Sequence, residues 1–215
     1  FNKRLRGIML NYIHYPSTQS NKTPLLIVHG LYGSARNWGV ISKRLSDERE
    51  IFAIDHRNHG DSQWFETQSY FDMAGDLQEF LEHFGSMAVL GHSMGGKAAM
   101  VLSMLKPSLV EKLVIADIAP VSYFHDNTQY IRAMKNVQLD KLATRADAII
   151  QLAESVPEPE LRSFFAQSID LKNKRWKLNL DVLESEMEKI IFFPQLSGKF
   201  EKVSLFLSGT LSNYL

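Results

Sequence analysis

Val89-Leu90-Gly91-His92-Ser93-Met94-Gly95-Gly96 decides the fold. The apolar run Met87 to Leu90 enters it as a strand, and Lys97 to Leu105 leaves it as a helix. A G-x-S-x-G pattern between strand and helix is a nucleophile elbow, a turn too tight for side chains on its flanks. Gly91 and Gly95 let strand and helix pass closely, and Ser93 stands at the tip, at the C-terminal edge of a sheet. The first helical N–H groups, beginning with Met94, are aimed at any oxyanion formed there. The bare pattern also fits a glycine-rich turn with a chance serine, but the strand before it and the helix after it argue against that.

With 215 residues the chain suits one domain, or one domain with an inserted subdomain. Its 45% hydrophobic and 22% charged residues are enough for a sizeable core in a soluble globular protein. Basic and acidic residues balance at 24 each, and no basic stripe or polybasic patch argues for nucleic acid or a membrane surface. The absence of cysteine excludes disulfides, thiolate metal sites and cysteine nucleophiles. No metal-ligand spacing occurs, and Lys97 lacks the G-x-x-x-x-G frame of a phosphate loop, so no metal or cofactor is expected. No apolar run reaches a membrane span and no signal-peptide pattern opens the chain, so the expected location is cytoplasmic. The chain begins at Phe1 rather than methionine, and residues upstream are expected.

Gly7 to Tyr15 alternates loosely and reads as an early edge strand ending at Pro16. Pro24 to Val28 and Glu50 to Asp55 read as strands buried on both faces. Ser34 is placed to cap a helix turning Trp38, Val40, Ile41 and Leu45 inward, and Tyr70 to Phe84 is amphipathic through Phe71, Ala74, Leu77, Phe80, Leu81 and Phe84. After the elbow, Leu113 to Ala116 is another buried strand. This alternation implies a parallel sheet with helices on both faces. From Ser122 to about Pro194 there is no convincing strand, only helical pieces at 130–137, 144–155, 158–168 and 180–191. Val203 to Gly209 then restores a strand. The expected organisation is an α/β core over 1–121, a helical cap over 122–197 and a return to the core over 198–215.

An acyl-transfer serine needs a base, an orienting acid and oxyanion donors. His29-Gly30-Leu31 leaves a buried strand at the same sheet edge, so the N–H of Leu31 is expected to join that of Met94. Asp117 ends the strand after the elbow and is the expected acid. The more usual place, after the following strand, holds Gly209-Thr210-Leu211-Ser212-Asn213 and no carboxylate. None of the 7 histidines follows the cap. His125 is weighed as the base but fits a surface or cap-packing role better. His29, His56 and His59 are expected to hold their loops by hydrogen bonds, and His83 sits at a helix end that suits an imidazolium. A catalytic histidine is therefore expected beyond Leu215, in a C-terminal part that this chain lacks. Arg57 and Asp61 are expected to fix their loop through side-chain-to-backbone bonds. Trp64, Phe65, Tyr123 and Phe124 are weighed as acyl-pocket residues against plain packing.

His29-Gly30-Leu31-Tyr32-Gly33-Ser34, Asp55-His56-Arg57-Asn58-His59-Gly60, Gly91 to Lys97 and Asp117-Ile118-Ala119-Pro120-Val121 together resemble the α/β-hydrolase superfamily, more narrowly the YbfF-type esterases of bacteria. The resemblance covers essentially the whole chain. It implies an α/β-hydrolase fold with a small helical cap, Ser93 as nucleophile, Asp117 as acid and backbone donors at Leu31 and Met94. It also implies short- to medium-chain carboxylic or thioester-like substrates.

The expected protein is thus a carboxylesterase using an acyl-enzyme on Ser93, without a cofactor, acting on a small acyl ester. An acyltransferase would use the same acyl-enzyme, and a non-catalytic binding protein could keep the fold without the histidine. A dehalogenase is disfavoured because its elbow would carry Asp in place of Ser93.

Overall fold

The computed structural model describes residues 10–19, 21–124, 127–210 and 212. Its centre is a six-stranded sheet in the order β1-β3-β2-β4-β5-β8. The strands are β1 (Tyr12–Tyr15), β2 (Leu25–Val28), β3 (Ile51–Ile54), β4 (Met87–His92), β5 (Val110–Ala116) and β8 (Ser204–Leu207). Only β1 runs antiparallel, against β3, and the other neighbours pair in parallel. β2 and β3 are buried at every position, as strands covered on both faces must be.

Alternation sorts the side chains of these strands into two cores. Leu26, Val28, Phe52, Ile54 and Val89 face α2 (Tyr70–Phe84) and α3 (Met94–Leu105). Leu25, Ile27, Ile51 and Ala53 face Ala35, Trp38 and Leu45, which belong to a 3-10 turn and α1 (Gly39–Leu45). Each fully buried aliphatic side chain contributes about 1.5–3 kcal/mol.

Two helix faces differ from the sequence reading. On α1, Val40 is 71% and Ile41 46% exposed. The segment begins as a 3-10 turn over Ala35–Trp38, which shifts the phase so that Trp38, Ser42 and Leu45 face the sheet. On α2, Phe71 points outward at 51% exposure, and Tyr70 and Met73 take the inward stripe with Ala74, Leu77, Phe80 and Leu81. Ser69 caps that helix by accepting the Asp72 N–H, and Gly85 ends it with φ 98°.

Between β5 and β8 lie α4 (Thr128–Lys135), α5 (Arg145–Leu152), α6 (Pro159–Ala166), α7 (Leu180–Ser185) and α8 (Met187–Ile191). A hairpin of β6 (Ile169–Asp170) and β7 (Arg175–Trp176) sits among them, where no strand is legible in the sequence. Strands of two residues are too short to show alternation. An isolated bridge, His59 to Leu178, ties this segment to the loop after β3. Among the described residues no helix is long and apolar enough to cross a membrane.

Candidate active site

β4 ends at His92 and α3 begins at Met94, leaving Ser93 between them at φ 51° and ψ −122°. That conformation costs a non-glycine residue on the order of 1–3 kcal/mol. Its neighbours allow no relief. A β-carbon on Gly91 would lie 2.5 Å from the Gly95 carbonyl oxygen, and one on Gly95 would overlap the carbonyl oxygens of Val28 and His29. The Ser93 N–H donates to Ala116 O (3.0 Å), tying the elbow to β5. Among the described residues nothing hydrogen-bonds the Ser93 hydroxyl.

The turn after β2 lies directly against this serine. A β-carbon added to Gly30 would come within 3.1 Å of Ser93 Cβ. Gly30 O accepts the Gly33 N–H (3.0 Å) and lies 2.7 Å from His29 Nδ1. His29 Nε2 accepts the His56 N–H (2.9 Å), so the ring proton is on Nδ1 and donates to Gly30 O. A peptide is planar and trans, so gripping Gly30 O also fixes the Leu31 N–H on the opposite side of the same plane. The N–H groups of Leu31 and Met94 both have no acceptor among the described residues, and those at the head of a helix have none within it.

Asp117 follows β5 with φ 57°. Its N–H donates to Leu207 O (2.7 Å), and its Oδ1 accepts the Gly209 N–H (3.2 Å) across to the end of β8. Leu31, Ser93, Met94 and Asp117 line one cavity of about 540 Å³, whose other walls include Tyr70, Tyr123, Phe164 and Ile190.

A profile of the α/β-hydrolase fold matches residues 23–202. The chain belongs to the α/β-hydrolase fold family. It is 36% identical to a zebrafish (Danio rerio) protein named sn-1-specific diacylglycerol lipase ABHD11, over 92% of this chain and 66% of that protein. It is 33% identical to esterase YbfF of Escherichia coli over 92% of this chain and 78% of that protein. A solved marine microorganism esterase superposes with a TM-score of 0.89 at 34% identity, covering 97% of this chain and 83% of that one. The chain thus spans about two thirds of the zebrafish relative's length.

Within this α/β-hydrolase frame the histidines do not all act as expected. His29 and His59 hold loops through their rings, but neither ring nitrogen of His56 has a partner, and it bonds only through its backbone, its N–H donating to His29 Nε2 and its carbonyl accepting the His59 N–H. His56 packs edge-on to His29 at 5.0 Å, a contact that asks only for a ring. Burial lowers the pKa of His29 to about 4 and of His59 to about 3, and pushes His56 well below its ordinary value. Unfolded histidines take up protons near pH 6.5, whereas these folded ones refuse them until about pH 4 or lower. The stability they contribute is complete above that unfolded value and is lost as pH falls through this window. The melting temperature is therefore expected to drop between pH 7 and pH 5, with each histidine adding about 1.4 kcal/mol per pH unit to the slope. His56→Phe is expected to flatten the slope by about one proton and keep the pH 7 melting temperature, because its ring fills the same place with no polar atom to bury. A melting temperature flat from pH 7 to pH 5 would contradict this account. His125 lies outside the described residues.

Arg57 and Asp61 bind side chains rather than backbone: Arg57 forks onto Asp76, and Asp61 pairs with Lys177 at 2.7 Å. Of the aromatic residues weighed for the pocket, Tyr123 lines it. Phe65 lies under the Arg57 guanidinium, and Trp64 and Phe124 are 46% and 90% exposed. Lys97 is a pocket residue that sequence reasoning missed. It is buried, donates to the carbonyls of Ile191 (2.9 Å) and Phe192 (3.2 Å), and sits 4.6 Å over the Tyr123 ring. Burial lowers its pKa to about 8. Its only sequence signal is that it lies one helical turn beyond Ser93.

Proposed function

We propose that the protein is a serine carboxylesterase that cleaves short- to medium-chain acyl esters through an acyl-enzyme on Ser93. Ser93 Oγ attacks the ester carbonyl carbon while its proton passes to a histidine outside the described residues, which Asp117 orients. The tetrahedral oxyanion accepts hydrogen bonds from the N–H groups of Leu31 and Met94, each worth about 3 kcal/mol of transition-state stabilisation. Collapse breaks the bond to the alcohol, which leaves with the proton. Water then attacks the acyl-serine by the same route and releases the carboxylic acid. Residues 122–197 serve as a cap over a core of 1–121, and 198–215 return to the core.

The observation that carries this reading is the strained Ser93, set against two peptide N–H groups with no acceptor among the described residues, in the wall of a mostly apolar cavity. The cavity's size suits an acyl chain of modest length. The names of the zebrafish and E. coli relatives, a lipase and an esterase, support ester cleavage.

The test is labelling of the full-length protein with a fluorophosphonate, read by intact mass, followed by a p-nitrophenyl ester chain-length series. One adduct is expected, absent in Ser93→Ala, with the best turnover on short to medium chains. Labelling that persists in Ser93→Ala would move the nucleophile elsewhere, and absence of both labelling and hydrolysis would overturn the reading.

A further inference from the structure

The turn after β2 contains a residue that is out of place by its own conformational preference. Tyr32 follows Leu31, is 5% exposed, and has φ 64°. A tyrosine in the left-handed region is strained and persists only where its surroundings hold it. Contacts from several elements do so. Its hydroxyl donates to Asn127 O (3.1 Å), its carbonyl accepts from Ser168 Oγ (3.3 Å), and its ring meets Phe165 edge-on at 5.5 Å. Another comes from the loop after β3: the Tyr32 N–H donates to His59 Nε2 (3.3 Å).

We infer that His59 is a positioning residue for the oxyanion turn, holding the Leu31–Tyr32 peptide so that the Leu31 N–H keeps its place beside Ser93. The inference rests on the hydrolase reading above. The geometry is a bracket. His29 grips Gly30 O and so fixes the peptide before Leu31, while His59 grips the Tyr32 N–H and so fixes the peptide after it. Leu31 is pinned from both sides, and its N–H is left to the cavity.

His59 is itself built to accept. Its Nδ1 lies 2.9 Å from Arg57 O and must donate there, which leaves Nε2 as the lone-pair side facing Tyr32. Its backbone is locked as well: its N–H donates to His56 O (3.1 Å) and its carbonyl accepts the Ser62 N–H (3.2 Å). A side chain that filled the space without an acceptor would remove this bond to the Tyr32 N–H and loosen the strained turn.

The experiment compares His59→Leu, His59→Gln and, as a control in the same loop, Ser62→Ala in the full-length protein. Ser62 bonds Asp55 O and the Asn11 N–H and has no bond to the turn. Two quantities are read: kcat and KM on p-nitrophenyl butyrate, and the amide 1H–15N resonances of Leu31 and Tyr32. His59→Leu is expected to lower kcat by about tenfold or more with KM within about twofold, the split expected when an oxyanion donor is misplaced. It is also expected to move both amide resonances. His59→Gln keeps an acceptor and a donor and is expected to stay within about threefold of wild type. Ser62→Ala is expected to lower the melting temperature while leaving kcat and the two resonances in place. If His59→Leu does not fold, His59→Gln and His59→Asn make the same comparison, since only the longer amide reaches Tyr32. Wild-type kcat in folded His59→Leu, equal kcat in the Gln and Asn variants, or an unmoved Leu31 resonance would overturn the inference. A wild-type protein with no esterase activity would overturn the hydrolase reading instead, and the resonances would still decide the role of His59.

Discussion

Ser93→Ala is expected to lower kcat/KM for p-nitrophenyl butyrate by about 10⁴-fold or more while leaving the melting temperature within a degree or two. On the proposed mechanism the kinetic loss follows from removing the atom that forms the acyl-enzyme, and loss of a triad nucleophile typically costs on the order of 10⁶ in turnover. The stability is unchanged because alanine inherits the same backbone problem. The φ of 51° and ψ of −122° at position 93 are imposed by the close crossing of β4 and α3, whatever the side chain. Ser93→Gly separates the two effects. Glycine adopts this conformation freely, recovering about 1–3 kcal/mol of strain against about 0.5–1 kcal/mol of extra chain entropy. The inactive glycine variant is therefore expected to melt a few degrees higher than wild type, since 1 kcal/mol corresponds to about 2–4 °C at this chain length. Esterase activity surviving in Ser93→Ala would refute the assignment of the nucleophile. A glycine variant that melts no higher than the alanine one would refute the strain.

Arg57→Met is expected to cost about 3–5 kcal/mol, lowering the melting temperature by roughly 10 °C. Arg57 Nε and Nη2 donate to the two carboxylate oxygens of Asp76 at 2.6 and 2.7 Å, and Nη1 donates to Thr67 Oγ1 at 3.0 Å. Both residues of the pair are buried, at 7% and 4% exposure. Removing the cation strands a carboxylate inside α2 with no counter-charge other than what water can reach. Most of the loss is this stranding rather than the value of the pair itself, so Arg57→Met combined with Asp76→Leu is expected to recover more than half of it. Arg57→Lys keeps the charge but not the fork and should fall between wild type and Arg57→Met. Denaturant melts of the three variants decide the matter: a double variant no more stable than the single one would show that the ion pair is net stabilising in its own right. Arg57 also anchors the loop that presents Asn58 and His59, so activity is expected to fall in Arg57→Met even below its melting temperature.

Where the sequence was legible, local rules sufficed. The elbow could be read because glycine is demanded at fixed offsets from Ser93, by a crossing whose partners lie within a few residues. β2 and β3 could be read because strands covered on both faces are continuous apolar runs. The helical segment between β5 and β8 could be read as helical from its periodicity, although its short hairpin could not.

The failures share a cause. Apolar character alone places Val40, Ile41 and Phe71 inward, but helix phase is set by what the helix packs on, and a 3-10 start or a capping box one residue away rotates the whole face. Arg57 and Asp76 are 19 residues apart, and Tyr32 and Ser168 are 136 apart. No periodicity or turn preference reports such pairings, because they exist only once the sheet has brought their loops together.

The sequence by itself therefore determined the strand-turn-helix unit that presents Ser93, the buried strands around it and the family to which they belong. Tertiary structure alone decided that Lys97 faces the cavity, that His56 has no use for its ring nitrogens, and that Leu31 is held between His29 and His59. The first set follows from sterics and burial within single elements. The second depends on which buried polar atoms find partners across elements, and that is known only when every neighbour is in place.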